Sequence, residues 1–158
     1  MIDPHIIKSK KRKQSYRKPD AVKDLEKLAM EAAKQKYPNI PEYVLAPRKF
    51  RDDTTNGLTS CITAYLKLKG AFVSRLNNTG IYDKQLNKYR PGTSRKGLPD
   101  ILATYHGKSI MIEVKTGRDR MSEYQKIIRD EQQQSGGLFF IAHNFSDFKI
   151  WFDGIKQQ

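Results

Sequence analysis

The chain has 158 residues, 37% of them hydrophobic, which suits one domain with a modest core plus extensions and excludes an array of several domains. A formal net charge of +13 with a pI near 9.8 is a statement about partners, and nucleic acid is the polyanion that such a surface most readily attracts. One cysteine, Cys61, and three scattered histidines (His5, His106, His143) exclude an internal disulfide and a structural zinc set, and no apolar run has the length of a membrane span or the form of a secretion signal.

Residues 1–19 are polar, basic and aperiodic, with Lys8, Lys10, Lys11, Arg12, Lys13, Arg17 and Lys18 against Asp3; their net +6 leaves +7 on the remainder. This segment reads as a disordered tail, and its Lys10–Lys13 run serves equally as a nuclear localisation signal or as an arm on phosphates. Residues 20–55 read as a helix and a connector. Asp20 is placed as its cap, Val22, Leu25, Leu28 (or Ala29) and Ala32 recur at helical spacing up to Tyr37, and Pro38 ends it. Pro38, Pro41 and Pro47 then mark an extended path through Arg48, Lys49 and Arg51, with Asp52 and Asp53 as a turn and cap cluster before a helix start at Thr54 or Thr55.

The second helix, over about 56–69, puts Leu58, Cys61, Ile62, Tyr65 and Leu66 on one side, with Gly70 placed to stop it. Cys61 reads as a small buried residue. Ala71 to Asn77 follows as a strand, Phe72, Ser74 and Leu76 alternating with Val73, Arg75 and Asn77. The polar stretch from Asn78 to Lys96 is expected to be a long loop. Its Tyr82, Lys84, Lys88, Tyr89, Arg90, Arg95 and Lys96 suit a flap that neutralises phosphates and stacks on bases.

Residues from Gly97-Leu98-Pro99-Asp100 to Glu113-Val114-Lys115 read as two strands joined by a tight Gly107-Lys108 turn. With those two as loop residues, His106 pairs with Ser109, Leu102 with Glu113 and Asp100 with Lys115. Asp100, Glu113 and Lys115 then share one face with Leu102 and Met111, while Ile101, Ala103 and Tyr105 lie against Ile110, Ile112 and Val114 on the apolar face. Two carboxylates about 5 Å apart repel by roughly 3 kcal/mol at an effective dielectric near 20, and one lysine offsets only part of it. A divalent cation resolves the conflict. Hard oxygens from Asp100, Glu113 and the Val114 carbonyl suit Mg²⁺, with Mn²⁺ as substitute, and such an ion keeps waters for chemistry. A lysine beside it can orient or deprotonate one of those waters, and the ion can stabilise charge on a phosphodiester. The alternative on the strand pattern alone is a cross-strand ion pair of Asp100 with Lys115 and a solvated Glu113.

After Lys115, Ser122-Glu123-Tyr124-Gln125 has the form of a capping box opening a helix to about Ser135, with Tyr124, Ile127 and Ile128 inward and Gly136-Gly137 ending it. Gln125 is read either as the closing residue of that box or as a group that turns into the carboxylate cleft to bind a water or a phosphate. Leu138 to Ala142 is expected to be a buried strand, and Phe145 to Phe152 an amphipathic closing segment capped by Ser146.

These residues resemble the PD-(D/E)XK nucleases, and their wording is similar to the VRR-NUC branch. The matching features are Arg75-Leu76-Asn77, Gly97-x-Pro99-Asp100, Ile112-Glu113-Val114-Lys115 and Gln125, in the order helix, strand, hairpin, helix, strand over roughly residues 56 to 152. The resemblance implies a restriction-endonuclease-like αβββαβ core, α/β with a mixed sheet flanked by helices, occupying 56–158, and metal-dependent cleavage of DNA. It casts Asp100, Glu113, Lys115 and Gln125 as catalytic, Asp100, Glu113 and Val114 as ligands of Mg²⁺, and Arg75, Asn77, Lys84, Arg90, Arg95 and Lys96 as DNA-binding. One departure is plain: many relatives carry an acid on the first core helix, and the segment from Asn56 to Lys69 has none.

The expectation is a soluble endonuclease, cytoplasmic in a bacterium or phage-infected cell and nuclear in a eukaryote, acting on DNA that includes branched or flapped forms. A homodimer is expected where the target is symmetric. The competing readings are a catalytically impaired DNA-binding module on the same scaffold, favoured by the missing helix acid, and a basic scaffold for a protein partner. The pair His143-Asn144 is too little for an HNH-type nuclease.

Overall fold

A computed structural model of the chain describes residues 15–76, 81–90 and 95–155, without the side chains of Ile81, Asp83, Tyr89 and Arg90. The first helix, α1, spans Asp20–Lys36 and buries Val22, Leu25 and Ala29, the stripe set by its 3.6-residue period. Its cap is Pro19 and not Asp20, which is the first helical residue and pairs with Lys23 at 2.7 Å. An acid suits that place because the unpaired N–H groups of the first turn carry partial positive charge. Glu26 accepts from the Lys18 ammonium and the Phe50 N–H, so it ties both the segment before α1 and the connector after it to the helix.

Helix α2, Thr55–Leu68, is capped by the Thr54 hydroxyl and buries Leu58, Cys61, Ile62, Tyr65 and Leu66 as expected. Asp53 pairs with Arg51. Asp52 is buried and does its capping at a distance, accepting the Tyr16 hydroxyl and the first N–H of the last helix. Gly70, at φ +82°, turns the chain into β1, Phe72–Arg75. The expected loop that follows contains a two-stranded ribbon, β2 (Ile81–Asp83) and β3 (Lys88–Arg90), with Tyr82 opposite Tyr89. Mixed polar residues without alternation hid these strands.

Strands β4 (Ile101–Tyr105) and β5 (Lys108–Val114) form the hairpin, α3 (Glu123–Gln134) crosses over, β6 (Leu138–Ala142) returns, and α4 (Phe145–Asp153) closes the chain. The sheet order is β1-β4-β5-β6, with the first three antiparallel and β6 parallel to β5. Among the described residues this is a mixed α/β architecture, a four-stranded mixed sheet flanked by four helices. Helices α1, α2 and α4 pack together over one face, where Ile101, Ala103, Ile110, Ile112 and Val114 meet Leu58, Ile62, Leu66, Phe145, Phe148 and Phe152. No described helix is long and apolar enough to cross a membrane.

Three further expectations are corrected. The β4–β5 turn is made by His106 and Gly107, at φ +45° and +73°, rather than Gly107 and Lys108. A two-residue hairpin turn of this hand needs positive φ at both places, which histidine tolerates better than lysine. Ile101 therefore faces Ile112 and Tyr105 faces Lys108, a register two residues from that expected. An even shift preserves the faces. Along α3 only Ile128 and Gln132 are buried, whereas Tyr124 and Ile127 are about half exposed. Gln132 takes an inward place because its amide donates to Ser109 on β5 and to the Leu138 carbonyl on β6. The cap of α4 is Asn144, accepting from the Asp147 N–H, and not Ser146.

Candidate active site

Continuing the β4–β5 register by one step brings Asp100 opposite Glu113, where Lys115 was expected. The Asp100 carbonyl accepts the Leu76 N–H at 2.8 Å, and one carboxylate oxygen accepts the Val114 N–H at 2.9 Å. With β4 starting at Ile101, that carboxylate takes the place a strand carbonyl would fill and is held fixed at the open end of the ladder. In an extended strand a residue's N–H and C=O leave by the same edge, so the Val114 carbonyl faces the end of β4 too.

Glu113 is 3% exposed. Its Oε1 accepts from the Lys115 ammonium at 3.0 Å and from the Gln125 amide, while Oε2 is buried with no hydrogen-bond partner among the described residues. Burial first, and the Asp100 charge second, push the Glu113 carboxyl above its usual range, against the pull of Lys115 and Gln125. Lys115 is itself buried. Burial disfavours its charge, but hydrogen bonding and attraction to Glu113, with Asp119 at 3.4 Å beyond, outweigh it and hold the ammonium above the ordinary lysine value. The Lys115 backbone is fixed on both sides, its N–H donating to the Ala142 carbonyl and its carbonyl accepting from His143 Nδ1 at 3.0 Å.

Gln125 closes the capping box and also reaches the Glu113 carboxylate. Its Oε1 accepts the Ser122 N–H and its own N–H donates to the Ser122 hydroxyl, closing the capping box, while its Nε2 donates to Glu113. The box therefore aims the amide, and α3 lies across the carboxylate face of the hairpin as its packing demands.

The described residues contain no group of three His, Cys, Asp or Glu side chains placed to hold a metal. They do offer two converging carboxylates, one with an unpartnered buried oxygen, and a free strand carbonyl edge. That donor set fits a hard divalent cation such as Mg²⁺, which takes one or two carboxylates and keeps water in its other positions.

The basic groups are dispersed. Arg75 pairs in register with Ile101, so its side chain leaves β1 on the α2 face and not the carboxylate face, where it donates to the Asn56 Oδ1 at 2.9 Å. Lys84 is exposed at the turn between β2 and β3. Arg95 is engaged by both oxygens of Glu131, and the Lys96 ammonium sits 5.6 Å from the Tyr124 ring centre, so these two fasten the chain to α3. Asn77 and the Arg90 side chain lie outside the described residues. Sequence reasoning missed His143, Asn56 and the Thr55–Thr116 hydroxyl contact of 2.8 Å. Only the parallel pairing of β5 with β6, which brings both strand ends to one edge, could have pointed to His143.

A groove of about 340 Å³ lined in part by Ala29, Ala33, Phe50, Ala64 and Leu68 contains none of these groups. The chain matches no family model and no curated protein.

Proposed function

We propose that this chain is a divalent-metal-dependent endonuclease acting on DNA, with the restriction-endonuclease-like core of the VRR-NUC branch. The observation that carries the reading is the convergence of Asp100 and Glu113 at the open end of the hairpin with the Lys115 ammonium on the same face. The Lys115 ammonium offsets only part of the repulsion between the two carboxylates, and Glu113 keeps a buried oxygen without a donor among the described residues.

Asp100, Glu113 and the Val114 carbonyl would hold Mg²⁺ or Mn²⁺. When bound, the ion supplies Lewis-acid stabilisation of the phosphorane-like charge and an acidified water. Lys115, anchored on Glu113, presents its ammonium to the attacking water and orients it. Gln125 keeps the Glu113 side chain from swinging away. Arg75 at the sheet end, Lys84 on the β2–β3 ribbon and the remaining surface excess of positive charge lower the cost of bringing phosphates to two carboxylates. Arg95 and Lys96 are assigned instead to fastening the segment before Asp100 to α3. A symmetric target would require two copies of the chain, and the reading places the protein where DNA is, in a bacterial cytoplasm or a eukaryotic nucleus.

The second reading is a DNA-binding module without hydrolysis, favoured by the absence of any acid on α2. A panel of duplex, nicked, flapped and branched DNA incubated with Mg²⁺ or Mn²⁺ separates the two. Cut products that vanish with EDTA and in Lys115→Ala are expected; tight binding of every substrate with no cleavage in either metal would leave only the module.

A further inference from the structure

One wall of the site faces α2 and carries no acid. Arg75 pairs with Ile101, one residue before Leu76, which donates to the Asp100 carbonyl, and its guanidinium reaches Asn56 in the first turn of α2. Thr55, the residue before Asn56, touches Thr116, the residue after Lys115. These contacts form a closed circuit around the end of the sheet, from Asp100 through Arg75, Asn56, Thr55 and Thr116 to Lys115 and Glu113. On the α2 side the circuit is neutral or cationic throughout.

The other acids near this end are committed elsewhere. Asp53 is paired with Arg51, and Asp52 is buried against Tyr16 and Phe145. Asp119 lies beyond Lys115, whose ammonium stands between it and Glu113. Two acids, Asp3 and the Asp83 side chain, lie outside the described part of the structure. Arg75, by contrast, is exposed and has no carboxylate partner among the described residues.

We infer that the site takes a single divalent cation, and that Arg75, held by Asn56, supplies from the opposite wall the second positive charge on the scissile phosphate. The inference rests on the nuclease reading. One divalent ion cancels Asp100 and Glu113 but leaves the phosphate and the charge that develops on it unmatched. With Glu113 given to the ion, the Lys115 charge is balanced by Asp119. A guanidinium with open donors, fixed by a neutral amide rather than a carboxylate, retains its full charge for a phosphate oxygen. Asn56 is a positioning residue here.

The test counts Mn²⁺ ions per chain from the loss of free Mn²⁺ signal in electron paramagnetic resonance, and measures duplex affinity across a salt series. One ion per chain is expected in the intact protein and in Arg75→Ala, and none in the Asp100→Asn, Glu113→Gln double variant. Arg75→Ala should weaken DNA binding about tenfold or more and lower the salt slope by about one. Asn56→Ala should show part of that loss, with metal binding unchanged. Two ions per chain, or DNA affinity indifferent to Arg75, would overturn the inference while metal-dependent cutting still stood. Failure to bind Mn²⁺ together with failure to cut would remove it along with the nuclease reading.

Discussion

A single glutamine joins a helix cap to the candidate chemistry. Gln125 closes the Ser122 box with one end of its amide and holds Glu113 with the other. The two jobs separate by mutation. Ser122→Ala removes the hydroxyl half of the cap and should cost about 1 kcal/mol of stability, read by thermal denaturation, with cleavage nearly unchanged. Gln125→Ala should cost a similar amount and also reduce cleavage by roughly tenfold, because Glu113 loses the donor that orients it. Equal activities in the two variants would reduce Gln125 to its capping role. The residue types at the site were legible because, across a two-residue turn, an acid opening one strand and an acid-x-lysine closing the next fall on one face. His143 and Asn56 were not, since each acquires its place through a partner distant in the chain, the Lys115 carbonyl and the Arg75 guanidinium.

At the scale of elements, the helices follow the apolar periods closely, and the errors have separate physical origins. A turn that starts at Gly107 predicts a hairpin register two residues from the observed one, because His106 adopts positive φ and is the first turn residue. The error was even, so every core residue still faced the core. On α3 a buried glutamine displaced two apolar side chains, which hydrophobicity cannot foresee when the amide finds three acceptors. The packing of α2 on α4 is also polar at one point, where the Tyr65 hydroxyl donates to Asp153. Burial alone would raise the Asp153 carboxyl, but hydrogen bonds from Tyr65 and Lys149 outweigh it and hold it below the usual range. A lowered carboxyl stabilises the fold above its unfolded pKa of about 4 and loses that contribution as pH falls through the folded value. The Tyr65→Phe variant should therefore melt below the intact protein at pH 7, and the gap should narrow by pH 3. A gap that is the same at both pH values would mean that Tyr65 acts through packing alone.

For the whole molecule, the division of labour follows the sheet. One face, under α1, α2 and α4, is a closed aromatic and aliphatic core, and the other, under α3, meets the carboxylates at its open edge. The basic excess is spread along the sequence, through residues 1–19, residues 84–96 and the helices. The overall α/β order was readable from the alternation of helical and strand periods. The ribbon within the long polar stretch was not, because its sequence shows no apolar alternation. In the proposed function Asp100 works as a metal-holding carboxylate and not as a strand-end cap. Asp100→Asn keeps the shape and an oxygen for the Val114 N–H, so its initial rate of DNA cleavage in Mg²⁺, compared with that of the intact protein at equal thermal stability, is the most direct measurement. A loss of about a thousandfold or more is expected from removing a metal ligand, and a rate within a few-fold of the intact protein would contradict it.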